Sequence, residues 1–533
     1  MTSSSFSVEP TGAGAHQEST AADLFAGRPW LPVLIVFVSN TCMMVLELVA
    51  GRIIAPYVGV SLYTWTSVIG VVLAGMSLGN YLGGRLADRW ASARLLGGVF
   101  LLAGLFSAAI LTADTLGLQL PDAWPIVLRI LAFTSALFFI PSMVLGGVSP
   151  IVVKLAVRDL AKTGSTVGRI SAAGTVGSIV GTFATGFVLI SAFGTHVIVW
   201  GVAIVLLLMA AFLLLRDAGP LRPFVAGVAV LVIGGGTPLA AAQGWIASRC
   251  QLETNYFCIK VHEEERNGDK VRILILDRLV HSYSSLTDPT KLVYGYEQVY
   301  AEATAYQARR HNPLKALFIG GGGYTFPRYM EALYPGSRLD VIEIDPGVTQ
   351  VAYDLLGLAR DTTVVTYNED ARMYLKRPPT VQYDLIMGDA FNDYSVPYHL
   401  TTREFNEQVA AWLADDGLYM VNMIDGPRRD FLRAYINTLQ QTFSAVYVIP
   451  AVRSWRASPR VTFVIIAGNR PLDLAVLQTI DAGDGDPMLA QMLLDPAEVE
   501  AILSERQPVT LTDRYAPVDQ MLAPVFRGEE KPD

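Results

Sequence analysis

The chain of 533 residues has little cysteine and little histidine, with three and six residues respectively. These residues show no spacing typical of a zinc site. The sequence also has no phosphate-binding P-loop and no serine-nucleophile motif. We therefore expect a protein without a metal, whose chemistry is neither P-loop phosphoryl transfer nor serine hydrolysis.

Charged residues are also scarce, at 17% of the chain, and they divide it into two unlike parts. Residues 30–245 hold 11 Lys and Arg against 6 Asp and Glu, whereas residues 246–533 hold 28 against 39. Long apolar runs recur in the first part and predict an α-helical bundle whose partner is the lipid bilayer. The second part predicts a soluble acidic domain, and its charge disfavours nucleic acid as a partner.

Seven apolar stretches predict membrane-spanning helices. They are residues 31–50, 62–84, 95–113, 126–147, 170–191, 196–215 and 223–243, the last interrupted by glycines and a proline. Basic residues follow the even-numbered spans, which predicts that the N-terminus faces the cytoplasm of a plasma (inner) membrane protein. Seven spans put the acidic domain outside, whereas a re-entrant or interfacial seventh segment returns it to the cytoplasm. Residues 1–29 are rich in Ser, Thr, Ala and Gly and predict a disordered tail rather than a signal peptide.

One ionisable residue, Glu47, lies inside the first predicted span, five residues before Arg52. A carboxyl group within the hydrocarbon region of a membrane costs free energy. Glu47 therefore indicates either a functional site or a structural ion pair with Arg52 or another span. A functional Glu47 fits a transporter or sensor whose soluble domain only binds a nucleoside or a polyamine.

Two of the cysteines, Cys250 and Cys258, stand at the start of the acidic domain with seven residues between them. This spacing allows a small disulfide in an oxidising compartment. The alternative is a pair of thiols packed as small apolar residues. A disulfide favours a domain outside the cytoplasm.

The acidic domain begins with a β-hairpin subdomain, residues 246–310, in which two β-rich runs flank Asn267 and Gly268. Residues 311–533 then predict a doubly wound α/β domain that binds a nucleoside. Its first unit, Leu314 to Asp345, reads as an apolar strand, a glycine turn, a helix and a second strand. The turn comprises Gly320, Gly321, Gly322 and Gly323. Glu343 ends the second strand about 20 residues later, where a carboxylate can bind both hydroxyls of a ribose.

Acidic residues follow three strands of this domain at their carboxyl ends: Glu343, Asp370 and Asp389. Ligands of doubly wound sheets bind at that edge, so the three side chains are expected to converge on one crevice. Asp370 could reach a base amino group. Asp389 and Asp393 share one loop and suit a cationic amine, which one of them could deprotonate. The alternative is an acidic loop that caps the next helix.

These motifs, in this order, resemble the spermidine synthase family of polyamine aminopropyltransferases in its membrane-fused bacterial form, over roughly Glu253 to Gly468. The resemblance implies a seven-stranded Rossmann-like fold of the methyltransferase type and assembly as a homodimer. It also implies transfer of an aminopropyl group from decarboxylated S-adenosylmethionine to an amine, with release of methylthioadenosine.

Residue by residue, the resemblance implies that Glu343 holds the ribose, Asp370 the adenine and Asp389 the amine. His281 follows a motif that begins at Asp277 and would contact the donor. The remaining residues implied to bind substrate are Tyr296, Glu297 and Trp455.

Two departures from the family pattern bear on the substrates. Gly323 stands where the family keeps an aspartate that grips the donor's amine, and Arg453 enters the loop from Pro450 to Trp455. Both changes favour a donor that retains its carboxylate, intact S-adenosylmethionine, or an acceptor other than a polyamine. A methyltransferase and an enzyme that cleaves S-adenosylmethionine are the alternatives within this class.

Overall fold

The computed structural model describes most of the chain. The described residues are 24–25, 27–115, 124, 126–157, 159–217, 236–244, 246–266, 268–391, 396–480 and 487–525. The chain forms two compact units, with the main division between Ser248 and Arg249.

The first unit is helical. Among the described residues, six helices are long and apolar enough to cross a membrane: Trp30–Val58, Leu62–Trp90, Ala93–Thr112, Val127–Ala156, Leu160–Ala192 and Thr195–Arg216. The seventh predicted span, 223–243, falls mainly outside the described residues, and its described part contains the helix Gly236–Ala242. Glu47 lies half-buried in the first of the six helices.

Glycines allow these helices to pack closely. A Cβ atom at Gly79 would collide with the carbonyl oxygen of Met143, and one at Gly177 would collide with that of Phe37. The Thr41 hydroxyl also donates a hydrogen bond to the Gly177 carbonyl, at 3.0 Å. Close backbone approach supplies the van der Waals contact that holds helices together where lipid removes the hydrophobic driving force.

The second unit begins with a four-stranded antiparallel sheet. Its strands are β1 (Leu252–Glu253), β2 (Cys258–Arg266), β3 (Asp269–Leu276) and β4 (Leu279–Ser285), which lie in that order. Arg266 pairs with Asp269 across the two-residue turn, and Gly268 there has a φ of +77°. The predicted hairpin is therefore confirmed. A disulfide joins Cys250 to Cys258, with Cα atoms 5.2 Å apart.

A seven-stranded sheet follows. Its strands are β5 (Lys315–Ile319), β6 (Arg338–Ile342), β7 (Val365–Tyr367), β8 (Tyr383–Gly388), β9 (Leu413–Asp425), β10 (Ala445–Pro450) and β11 (Val461–Gly468). They lie in the order β10-β11-β9-β8-β5-β6-β7, and β11 is antiparallel to both neighbours. The sheet is doubly wound, because the chain proceeds from β5 to β6 on one side and later returns to β8 on the other. The crevice between β5 and β8 is where such a sheet binds its ligand.

Helices connect and cover these strands. They are α1 (Gly295–Ala308), α2 (Thr325–Leu333), α3 (Pro346–Leu355), α4 (Ala371–Leu375), α5 (Arg403–Trp412), α6 (Asp430–Leu439), α7 (Leu474–Leu477), α8 (Met488–Met492), α9 (Pro496–Ser504) and α10 (Val518–Leu522). Alternate residues of β5 enter different cores: Ala316 and Phe318 pack into one cluster, Leu317 and Ile319 into the other. This alternation explains the continuous apolar run, because both faces of the sheet are buried.

Candidate active site

Two adjoining cavities open at the carboxyl ends of β5, β6 and β8. The tyrosine cavity is lined by Tyr294, Tyr296, Tyr300, Glu297, Asn422 and Arg460, among others. The strand-end cavity is lined by Glu343, Asp370, His399 and their neighbours. Both cavities share His281, Gly320, Gly322, Asp389 and Phe391. The predicted convergence of the three acidic strand ends is thus present in the strand-end cavity.

The glycine turn brings the strand-end loops together. Gly320 has a φ of +101°, and a Cβ atom on it would collide with the carbonyl oxygen of Asp389. The Asp389 amide donates to the Ile319 carbonyl at 2.9 Å, so the loop after β8 continues the sheet pairing against the turn. Only glycine satisfies both the backbone angle and the close approach, and this places Asp389 at the junction of the two cavities.

Glu343 is 6% exposed, and its carboxylate accepts hydrogen bonds from backbone amides of the glycine turn. One carboxylate oxygen accepts from the Gly321 and Gly322 amides at 2.8 and 3.3 Å, and the other accepts from the Asp345 amide at 2.9 Å. Burial raises the pKa of Glu343, while these amide hydrogen bonds act in the opposite direction. Each carboxylate oxygen can accept more than one hydrogen bond, so holding the turn leaves capacity for a ligand hydroxyl.

Asp370 has two contacts at the other end of the strand-end cavity. One carboxylate oxygen caps α4 by accepting from the Met373 amide at 2.9 Å, and the other lies 3.1 Å from the His399 Nε2 atom. His399 was not predicted from the sequence, because it lies beyond the strand end in a short 3₁₀ helix, Tyr398–Leu400, with no motif of its own. Together the two side chains present hydrogen-bonding groups to the strand-end cavity.

Asp389 is held from two sides. The Tyr296 hydroxyl donates to one carboxylate oxygen at 3.0 Å, and the Asn422 side-chain amide donates to the other at 2.8 Å. Burial raises the pKa of Asp389, and the hydrogen bonds from Asn422 and Tyr296 oppose that shift. No sequence motif marks Asn422, although a polar residue within the apolar run of β9 is a signal for it. A carboxylate that is held in one orientation and has a raised pKa is a candidate general base.

Helix α1 and Tyr294, the residue that precedes it, supply the aromatic wall of the tyrosine cavity. The rings of Tyr294, Tyr296 and Tyr300 follow one another at centroid distances of 5.4 and 5.6 Å. Glu297, on the same helix, is 2% exposed and accepts from the Tyr294 amide at 3.2 Å. Burial raises the pKa of Glu297 to about 8. Aromatic faces attract cations, so this wall suits an ammonium group near Asp389.

Gly323 leaves no space for the side chain that the family keeps there. A Cβ atom on Gly323 would lie 2.7 Å from the Cβ of Ser282 and 2.9 Å from the hydroxyl of Ser284. The two serines on β4 therefore fill the volume that an aspartate at this position would need. His281 precedes them, and burial lowers the pKa of its imidazole to about 4, which keeps the ring neutral.

The structure does not bring every predicted residue to the cavities. Trp455 is buried against Phe463, at a centroid distance of 6.0 Å, and is not among the described residues that line either cavity. Arg453 instead donates to the Gln491 side chain at 2.9 Å. Arg460, which no sequence motif marks, lines the tyrosine cavity. Asp393 lies outside the described residues.

No family model matches the chain. It is similar to the polyamine aminopropyltransferase of Vibrio vulnificus, with 38% identity over 112 residues that cover 21% of this chain and 38% of that protein. It is also similar to the polyamine aminopropyltransferase of Corynebacterium efficiens, with 28% identity over 279 residues, or 49% of this chain and 52% of that protein.

The chain therefore spans no more than about half the length of these two relatives. Among solved structures, it is similar to a probable spermidine synthase from Corynebacterium glutamicum, with 22% identity and a TM-score of 0.43. That similarity covers 49% of this chain and 95% of the other. The resemblance predicted from the sequence is confirmed by the two sequence relatives.

Proposed function

We propose that this chain, a relative of the polyamine aminopropyltransferases, is a membrane-anchored transferase that moves an aminopropyl or related alkyl group from a sulfonium nucleoside to an amine. The observation that carries the proposal is the position of Asp389. Its carboxylate is held by Tyr296 and Asn422 at the junction of two cavities, one suited to a nucleoside and one to an amine.

The strand-end cavity is the proposed nucleoside site. The glycine turn gives close backbone approach, Glu343 faces the position of a ribose, and Asp370 with His399 faces that of the base. By the resemblance, the donor is decarboxylated S-adenosylmethionine or S-adenosylmethionine itself, used as a co-substrate. The tyrosine cavity then receives the small-molecule amine or polyamine.

The proposed step is an in-line displacement. The amine nitrogen attacks the methylene carbon bonded to the sulfonium, a C–N bond forms, and the C–S bond breaks. The electron pair of the broken bond passes to sulfur, so neutral methylthioadenosine leaves. The nitrogen must give up a proton, because an ammonium has no lone pair for the attack, and Asp389 accepts it. Since a sulfonium is already a good leaving group, the chain contributes mainly positioning and this proton transfer.

The test is Asp389→Asn, which keeps the shape of the side chain but removes the basic carboxylate. Loss of general-base catalysis is expected to lower turnover by about 10²–10⁴-fold. Nucleoside affinity, measured by calorimetry, is expected to change only a few-fold. Asp354→Asn is the matched control, because Asp354 lies on α3 paired with Arg360 and outside the described lining of both cavities. Unchanged turnover in Asp389→Asn would contradict the proposal.

We further propose that the protein is integral to the inner membrane, with the N-terminus and the catalytic domain in the cytoplasm. The basic loops favour a cytoplasmic N-terminus, and adenosyl donors are made in the cytoplasm. The disulfide between Cys250 and Cys258 favours the opposite side. An impermeant thiol reagent, applied after reduction, is expected to label Cys250 only in opened cells. Labelling in intact cells would place the domain outside and require an exported donor.

A further inference from the structure

One wall of the strand-end cavity comes from the short loop that the disulfide closes. Tyr256 and Phe257 line this cavity. Cys258 follows them directly and is joined to Cys250, eight positions earlier, so both aromatic residues lie inside the closed loop. We call residues 250–258 the disulfide loop. Its covalent closure limits the conformations that the two aromatic residues can adopt.

Hydrogen bonds connect the disulfide loop to the carboxylate that holds the glycine turn. The Thr254 hydroxyl oxygen accepts from the Tyr256 and Phe257 amides at 3.1 and 2.9 Å. The same hydroxyl donates to the Asp345 carboxylate at 2.5 Å, and the Asp345 amide donates to Glu343 at 2.9 Å. A displacement of the loop therefore acts on Glu343, the proposed partner of the ribose, through two intervening residues.

The two ends of the disulfide loop are held to different degrees. The Cys258 amide donates to the Asp277 carboxylate, and the Asp277 amide donates to the Cys258 carbonyl, both at 2.9 Å. Cys258 is also only 5% exposed. Cys250 is half-buried and precedes β1, an edge strand that consists of two residues. The disulfide thus ties a short edge strand to a buried one, and segments of the former kind open locally at little cost in free energy.

We propose that the disulfide between Cys250 and Cys258 is a redox switch of the nucleoside site. The oxidised loop holds Tyr256 and Phe257 in the wall of the strand-end cavity, and reduction of the loop lowers the affinity for the nucleoside. The inference rests on the proposed function, because it takes the strand-end cavity as the nucleoside site. It also gives the disulfide a role in the cytoplasm, where we place the domain and where disulfides are usually transient.

The switch operates by thiol–disulfide exchange with a dithiol reductant. A thiolate of the reductant attacks the sulfur of Cys250, which is the more exposed of the two cysteines. The S–S bond breaks, and its electron pair passes to the Cys258 sulfur, which takes a proton. The second thiolate of the reductant then releases Cys250 as a thiol, and the reductant leaves as a cyclic disulfide. Two electrons and two protons pass to the protein, and a disulfide oxidant reverses the exchange.

Reduction is expected to lower the affinity for the nucleoside about three- to tenfold. The backbone pairing of β1 and the hydrogen bonds of Gln251 with Ile259 and Val261 do not depend on the disulfide, so the loop loses only part of its order. Apparent affinity falls in proportion to the fraction of the protein in the binding conformation. A loop that keeps this conformation about 10–30% of the time produces the expected loss.

The chemical step is expected to respond less than binding does. Asp389 is held by Tyr296 and Asn422, which lie outside the disulfide loop. Reduction should therefore raise the KM for the donor by about the same three- to tenfold and leave kcat within about twofold. A disulfide that only stabilised the fold would lower the amount of active protein, and kcat would fall while KM stayed constant.

The experiment measures methylthioadenosine binding to the full chain in detergent by calorimetry, before and after reduction with dithiothreitol. Alkylation of Cys250 and Cys258 verifies that reduction is complete. The wild-type protein is expected to lose about three- to tenfold in affinity on reduction. Cys250→Ser is expected to bind like the reduced protein under both conditions. Cys42→Ser is the matched control and should respond like wild type, because it removes the third cysteine of the chain, which lies in the first membrane helix.

Equal affinity of the oxidised and reduced wild-type protein would overturn the inference, and so would a Cys250→Ser variant that binds like the oxidised protein. Methylthioadenosine would still bind in both cases, so the proposed function would stand. If methylthioadenosine binds in neither redox state, the proposed nucleoside site fails, and amide hydrogen exchange decides the inference alone. Faster exchange after reduction in residues 251–257 and in the glycine turn supports it, whereas unchanged exchange in the glycine turn overturns it.

Discussion

Removing one hydroxyl group, that of Tyr296, is expected to change the pH dependence of the reaction. In Tyr296→Phe, Asp389 loses the hydrogen bond that it accepts at 3.0 Å and keeps the one from Asn422 at 2.8 Å. Both hydrogen bonds favour the ionised carboxylate, whereas burial disfavours it. The substitution therefore raises the pKa of Asp389 further.

The size of the shift follows from the strength of the lost bond. A hydrogen bond to a charged group contributes about 1.5–3 kcal/mol, and one pKa unit corresponds to about 1.4 kcal/mol. The expected rise is therefore about 1–2 units. A general base works only when deprotonated, so the acid limb of kcat/KM moves to higher pH by the same amount. Turnover on the plateau above that limb changes little by comparison.

The assay is the pH profile of kcat/KM for methylthioadenosine release. Tyr300→Phe is the matched control, because Tyr300 also lies on α1 and lines the same cavity, but its hydroxyl donates to the Met420 carbonyl at 3.5 Å. Its acid limb should stay within a few tenths of a unit of wild type. The reasoning is refuted if the acid limb of Tyr296→Phe does not move, or if both variants shift equally.

Two further substitutions test the site. Gly320→Ala places a Cβ atom against the Asp389 carbonyl oxygen at a backbone φ of +101°. It should therefore lower the free energy of unfolding by about 1–3 kcal/mol and abolish most turnover. A variant with a normal melting temperature and normal kinetics would contradict this expectation. Glu297 has a pKa of about 8 in the folded protein and an ordinary value of 4.5. Between these two pH values the folded state keeps a proton that the unfolded chain releases, so the free energy of unfolding falls as the pH rises from 4.5 to about 8. Glu297→Gln should remove most of that fall, on the order of 4 kcal/mol; parallel melting temperatures of the two proteins from pH 5 to 8.5 would show otherwise.

Local patterns were enough to predict the nucleotide-binding part of the site. The apolar strand β5, the turn at Gly320 and the acid Glu343 are close in sequence, and their spacing reflects the geometry of a single βαβ unit. Asp389 was predicted because it directly follows the apolar strand β8. The carboxyl ends of parallel strands meet at one edge, so these residues could be placed together before any contact was known.

The loop between β10 and β11 shows what local patterns do not contain. The sequence favoured Trp455 and Arg453 as substrate-binding residues, whereas the structure buries Trp455 against Phe463 and directs Arg453 to Gln491. Arg460 lines the cavity instead. Which side of a ten-residue connection faces a cavity depends on packing against distant elements, and no periodicity of the loop records it.

The measurement that tests the central claim most directly is the product balance of the wild-type protein with a sulfonium donor and an amine. The account predicts methylthioadenosine and alkylated amine in equal amounts, because one C–S bond breaks for each C–N bond formed. Adenosylhomocysteine with a methylated amine would contradict it. So would methylthioadenosine without any alkylated amine, since that result would mean cleavage of the donor without transfer.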